Sequence, residues 1–130
     1  MIDDLMTIRQ MCDAFEVTPR TLRFYESREL LFPQRRGTQR LFTRGDRARL
    51  KLILRGKRFG FSLEDIRQTL AMYDRNGSNA GQLIRIYDLA HERLRLMAAQ
   101  RAELDVAIAE LKVELEAGAA TIAGFRRAAE

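Results

Sequence analysis

The chain of 130 residues is long enough for one domain with an extension, and 46% apolar residues suffice for a core. It carries 23 Lys and Arg against 18 Asp and Glu, and its one Cys and one His exclude a disulfide framework and a clustered Cys/His metal centre. It lacks an apolar run of about 18 residues, and "MIDDLMTIRQMCD" has acids where a signal peptide has bases, so a cytoplasmic protein outside the membrane is expected.

"TIRQMCDAF" opens with Thr7 as an N-cap, and Gln10 three residues later completes a capping box. Ile8, Met11, Cys12 and Phe15 then form an apolar stripe of helical period, which makes Cys12 a packing residue. After "EV", Thr18 caps a second helix whose first position is Pro19, where the missing N–H costs nothing. Two short helices joined by a tight turn predict a helix-turn-helix. At about 100° per residue, Arg20, Arg23, Phe24 and Ser27 share one sector and Leu22 points away from it. That layout suits a recognition helix; a surface helix on which Phe24 closes a core edge is the other reading of the stretch.

The charge is concentrated in this half of the chain. Through residue 75 there are 16 Lys or Arg and 10 acids, against 7 and 8 beyond it; residues 20–58 hold 13 bases and only Glu26, Glu29 and Asp46. Such a field attracts polyanions, phosphate backbones above all. Twenty of the 23 cations are Arg, whose planar fork meets phosphate oxygens or a guanine edge with two hydrogen bonds.

"LLFPQRR" and "QRLFT" are two short extended segments around Gly37 and Thr38, a two-residue turn with Gly first, as a type II′ hairpin prefers. Pro33 confines the first segment to an edge. A hairpin carrying Arg35, Arg36 and Arg40 directly after a recognition helix is a basic wing. Thr43 caps a third helix over residues 44–59, ended by Gly60. It carries Leu50, Ile53 and Leu54 on one side, and "RARLKLILRGKR" has six bases on the rest of its surface. Ser62 and Asp65 cap a fourth, with Leu63, Ile66, Leu70 and Tyr73 on its inner face, and "RNGSNAG", residues 75–81, reads as a linker.

Leu83, Tyr87, Ala90, Leu94, Met97, Arg101, Leu104, Ile108, Leu111 and Leu115 are spaced 4, 3, 4, 3, an unbroken heptad seam. One helix of this length would reach about 50 Å and has nothing of its own to bury that seam against, so a second copy is expected, paired through Leu83, Tyr87, Leu94, Met97, Leu104, Ile108, Leu111 and Leu115. Folding back onto its own domain is the alternative. Arg101 interrupts the seam and would reach solvent or a partner acid. Past Leu115, "AGAATIAGF" loses the period, and Gly118 and Gly124 suggest that the helix ends. The expected organisation is thus a DNA-binding domain over 1–75, a hinge over 76–81, a dimerisation helix over 82–117 and a tail over 118–130.

The strings "TIRQMCDAFEVTPRTLRFYESRELL" and "GTQRLFTRGDRARLKLILRGKRFGFSLEDI", followed by a long heptad helix, resemble the MerR family of bacterial transcription regulators over about residues 6–116. Within it the chain is most similar to regulators of leucine, isovalerate and acyl-CoA catabolism, through "LKLILRGKR", "GFSLEDI" and "YDRNG". The resemblance implies a mainly all-α fold: a winged helix-turn-helix with a small β-hairpin wing, then a long helix forming an antiparallel coiled coil in a homodimer. It implies binding to a pseudo-palindromic promoter operator with distortion of the DNA, and contact with RNA polymerase. Arg20 and Arg23 would reach the major groove, Tyr25 a phosphate, and Arg36 and Arg40 the phosphates near the wing. With Thr18, Thr21, Arg35 and Gln39 these make the candidate DNA-binding set. Two departures stand out. Phe24 and Phe42 replace tyrosines common in the family, and residues 74–130 lack the cysteines of its metal-sensing branch.

The expected function is a sequence-specific, DNA-distorting transcription regulator acting as a homodimer on double-stranded DNA. The alternative is a non-enzymatic coiled-coil interaction module that binds DNA indiscriminately. A third reading adds a small-molecule effector, acyl-CoA-like by the resemblance, held near the hinge by Tyr73, Tyr87 and Met97, which otherwise serve as core. The single His91, the scattered carboxylates and the lack of a glycine-rich phosphate loop argue against an enzyme, a metal site or a cofactor.

Overall fold

The computed structural model describes residues 4–74 and 80–130, which divide into two compact units, Met1–Asp88 and Leu89–Glu130. In chain order the elements are β1 (Met6–Thr7), α1 (Ile8–Phe15), α2 (Pro19–Ser27), β2 (Gln34–Arg36), β3 (Gln39–Phe42), α3 (Arg44–Phe59), α4 (Leu63–Asp74) and α5 (Ala80–Ala129). Among the described residues, no helix is long and apolar enough to cross a membrane.

Local chemistry starts and stops these helices where expected. Thr7 Oγ1 accepts the Gln10 amide at 3.2 Å and Gln10 Oε1 accepts the Thr7 amide at 2.8 Å, closing the capping box of α1. Glu16 then adopts φ 56°, a left-handed residue that makes the tight turn into α2. Thr43 and Asp46 form a second box at α3, Gly60 ends that helix at φ 85°, and Asp65 N–H donates to Ser62 Oγ at 3.1 Å at the start of α4.

The wing belongs to a three-stranded antiparallel sheet of order β1-β3-β2. Gly37 and Thr38 join Arg36 to its register partner Gln39, and Gly37 sits at φ +64° while Thr38 is not at positive φ, as a type II′ turn requires. β2 is an edge strand, with Pro33 just outside it. The third strand was not expected: Met6 and Thr7 pair with Phe42 and Leu41. Two residues are too few to show a period of two, so only the paired partner reveals them.

Met11, Leu22, Tyr25, Leu30, Leu31, Phe42, Leu50, Ile53, Ile66 and Leu70 form one core, drawn from α1, α2, the segment between α2 and β2, the sheet, α3 and α4. Cys12 packs at its margin, and burial together with Asp13 raises its thiol pKa against the opposing pull of Arg23. Tyr73, expected on the inner face of α4, is 49% exposed.

The long helix departs from expectation at its end. α5 runs through Gly118 and Gly124 to Ala129, so the segment 118–130 is helical almost to its last residue and is not a tail. An internal glycine costs about 1 kcal/mol relative to alanine, a deficit that the surrounding alanines tolerate, and Arg126 and Arg127 suit the negative end of the helix. The expected hinge over 76–81 falls mostly on residues 75–79, outside the described residues, and Ala80 and Gly81 already open α5.

Candidate nucleic-acid interface

α2 separates its faces as the wheel requires. Leu22 is fully buried, while Arg20, Arg23, Phe24 and Ser27 are exposed. Among the described residues, no salt bridge engages Arg20 or Arg23. Thr18 and Thr21 are occupied with each other: Thr18 Oγ1 accepts the Thr21 amide at 3.2 Å and lies 2.9 Å from Thr21 Oγ1. They hold the start of the helix.

Tyr25, which the resemblance directs to a phosphate, is mostly buried and lines a cavity that Arg20 and Lys57 share. It is 2% exposed and sits in the core, because three residues beyond Leu22 on a helix is only about 60° away from it. The outward ring is Phe24, 42% exposed, with the Arg28 guanidinium 5.4 Å from its centroid. Phe42, the other phenylalanine in place of a tyrosine, is wholly buried and packs in the core.

The wing arginines divide. Arg36 and Gln39 flank the turn, exposed, and Arg36 makes no salt bridge among the described residues. Arg35 and Arg40, cross-strand partners, both turn to Glu26 of α2: Arg40 Nε donates to Oε1 at 2.6 Å and Arg35 Nη2 to Oε2 at 2.7 Å. Burial pushes the Glu26 carboxyl up, but the hydrogen bonds and charges of Arg40 and Arg35 outweigh it, and its pKa lies below the ordinary value.

Other bases of the patch also serve the fold. Arg49 donates to the Leu30 carbonyl at 2.9 Å and to Asp74 at 2.6 Å while covering Phe32; Arg47 donates to the Asp4 carbonyl, and Arg44 pairs with Asp4 at 2.7 Å. Among the described residues of this patch, those exposed and outside any salt bridge are Arg20, Arg23 and Arg28 on or at the end of α2, Arg36 at the wing tip, and Lys51, Arg55, Lys57 and Arg58 of α3. Lys57 was overlooked. It lines a cavity of about 450 Å³ together with Arg20, so the end of α3 stands beside the start of α2. The only sequence signal for this is the density of bases in α3, which cannot say which of them face α2.

Two comparisons bear on what this surface is. The chain matches the family described as MerR HTH family regulatory protein over residues 6–73, and a second described as MerR, DNA binding over residues 47–113. The chain belongs to the MerR family. Among curated MerR relatives, the HTH-type transcriptional regulator ZntR of Escherichia coli K12 is 40% identical over 67 residues, 50% of this chain and 48% of that protein. The ZntR of Escherichia coli O157:H7 matches with the same figures, so the chain spans about half the length of the curated relatives it matches.

Solved MerR regulators share the fold. PbrR691 of Ralstonia metallidurans CH34, crystallised with lead(II), is 27% identical at a TM-score of 0.62, over 82% of this chain and 85% of that one. A MerR regulator from Bacillus cereus gives a TM-score of 0.68 at 24% identity, over 83% and 78% of the two chains. HiNmlR, a MerR regulator lacking the sensor domain and crystallised on promoter DNA, gives 0.62 at 23% identity, over 78% and 79%. The mostly helical winged helix-turn-helix expected from the MerR resemblance is the observed architecture.

The expected pairing positions of this MerR chain, Leu83, Tyr87, Leu94, Met97, Leu104, Ile108, Leu111 and Leu115, are all exposed, from 39% at Met97 to 64% at Leu115. Tyr73, Tyr87 and Met97 line neither of the two described cavities, the second of which, about 190 Å³, lies between α3, α4 and Ile86. Among the described residues, no three His, Cys, Asp or Glu side chains converge to hold a metal.

Proposed function

We propose that this MerR protein is a sequence-specific regulator that binds a pseudo-palindromic promoter operator as a homodimer and bends and untwists the DNA between its half-sites. The observation that carries the reading is the exposed pair Arg20 and Arg23 on a capped, core-anchored α2, beside the exposed Arg36 of the wing. Two guanidiniums one helical turn apart on a rigid helix can read guanine edges, and Arg36 supplies a phosphate contact that sets the register. Two copies held by α5 would make the operator two-fold symmetric, and the binding energy of the outer contacts would be applied to deforming the centre. HiNmlR bound to promoter DNA has the same fold, which supports this mode of docking. RNA polymerase would then engage the distorted promoter.

The similarity to regulators of leucine, isovalerate and acyl-CoA catabolism makes acyl-CoA thioesters the effector class we infer. Calorimetry with a short-chain and a branched-chain acyl-CoA tests this directly; absence of heat with both removes it.

Selection of bound fragments from random DNA defines the operator, and half-site spacing reports the dimer. Arg23→Ala is expected to weaken operator binding by roughly 1 to 3 kcal/mol and to relax specificity. A protein that binds scrambled duplexes as well as selected ones would instead be the indiscriminate coiled-coil module.

A further inference from the structure

We propose that Glu26 is a specificity-determining positioning residue, whose carboxylate withholds Arg35 and Arg40 from phosphate and fixes the wing against the recognition helix. The proposal rests on the DNA-binding reading above. Arg35 and Arg40 stand directly opposite each other in the β2–β3 register, an arrangement of like charges that by itself destabilises a strand pair. Glu26 projects from α2 and takes one guanidinium on each oxygen, at 2.7 and 2.6 Å. Its side chain is 20% exposed, so these charge-assisted bonds are only partly screened.

The consequence concerns unselective binding. Phosphates are the same on every sequence, so each arginine available to them strengthens operator and scrambled duplex alike. With Glu26 present, Arg36 carries no counter-charge, whereas a phosphate approaching Arg35 or Arg40 meets a carboxylate that neutralises their charge, repels it and already holds one N–H of each. The residue therefore lowers the sequence-independent component of affinity while leaving Arg20 and Arg23 of the same helix free. A wing tied to α2 also arrives at the backbone in one position.

Binding of the full chain to its selected operator and to a scrambled duplex, each across a salt series, tests this with Glu26→Gln, which keeps the volume and removes the charge. The variant is expected to bind the scrambled duplex several-fold more tightly at low salt. Its salt slope should steepen by about 0.9 for each released arginine that finds a phosphate. The ratio of operator to scrambled affinity should fall, because both duplexes gain the same phosphate contacts while only the operator complex loses the fixed position of a wing tied to α2. Glu29→Gln removes a nearby exposed charge without releasing an arginine and is expected to have a much smaller effect. The gain from Glu26→Gln should vanish when Arg35 and Arg40 are both replaced by Gln.

An unchanged slope and affinity in Glu26→Gln, an equal effect from Glu29→Gln, or a gain that survives loss of both arginines overturns the proposal. A wild-type protein with no preference for operator over scrambled duplex overturns the sequence-specific reading instead, and the comparison of variants on scrambled DNA still decides the role of Glu26.

Discussion

The Phe32 amide donates to Asp46 Oδ1 at 2.9 Å, joining the segment that leaves α2 to the first turn of α3. The other oxygen of that carboxylate accepts from the Thr43 amide at 3.1 Å and the Thr43 hydroxyl at 3.2 Å. Asp46 is 3% exposed, the one buried charged residue among those described, and all its bonds stay within the frame that positions α2 and the wing.

Asp46→Ala is therefore expected to destabilise the fold by about 2 to 4 kcal/mol, from a lost cap and an amide left without its partner. Asp46→Asn keeps one acceptor oxygen and should lose less. Urea unfolding of the two variants checks the order, and an Ala variant as stable as the wild type would remove Asp46 from the frame.

Gly56 lies where α3 crosses α4, and a Cβ there would stand 2.8 Å from Ile66 Cγ1. Alanine gains about 1 kcal/mol in helix propensity, but forcing a methyl into a packed contact costs about 1 to 3 kcal/mol. Gly56→Ala is expected to lose stability on balance. A higher unfolding midpoint would mean that Ile66 moves aside freely.

The pH dependence of the wing clamp follows from the lowered pKa of Glu26. A carboxyl depressed in the folded state contributes stability that is fully present above its unfolded value, about 4.3, and is lost as pH falls through the folded value beneath it. The stability advantage of wild type over Glu26→Gln should thus be flat around neutral pH and shrink only below about pH 4.3. An advantage that changes near pH 7 would point to a different titrating group.

The helical course of 118–129 extends the seam by Gly118, Ile122, Phe125 and Ala129, at the same alternation of four and three residues. In the proposed dimer, Leu104→Glu should shift the protein to monomer in sedimentation, and Phe125→Glu should weaken association as well. Arg101→Leu should tighten it by removing a charge from the seam. If Phe125→Glu leaves association unchanged, the last turns of α5 take no part in the pairing.

Caps and turns were legible because their chemistry is complete within a few residues. Thr7 with Gln10, Thr43 with Asp46 and Gly60 needed no knowledge of the rest of the chain, and their helices begin or end where those residues stand. The same holds for the turn at Gly37 and for the face of α2 that carries Leu22 inward. Periodicity overreached at Tyr73, whose position on the stripe of α4 did not guarantee something for it to pack against. At Gly118 and Gly124 composition points to a helix end, yet α5 continues through both.

By itself, then, the sequence determined the caps that open α1 to α4, the turn of the wing and the concentration of positive charge in the first half, all of which follow from near neighbours. Only the tertiary structure decided how that charge is divided. Arg35 and Arg40 meet Glu26 across 9 and 14 residues, and Arg49 meets Asp74 across 25, while Arg20, Arg23, Arg36 and the exposed bases of α3 stay outside these pairs. An arginine's partner is chosen by distance in space, and sequence separation carries almost no trace of it.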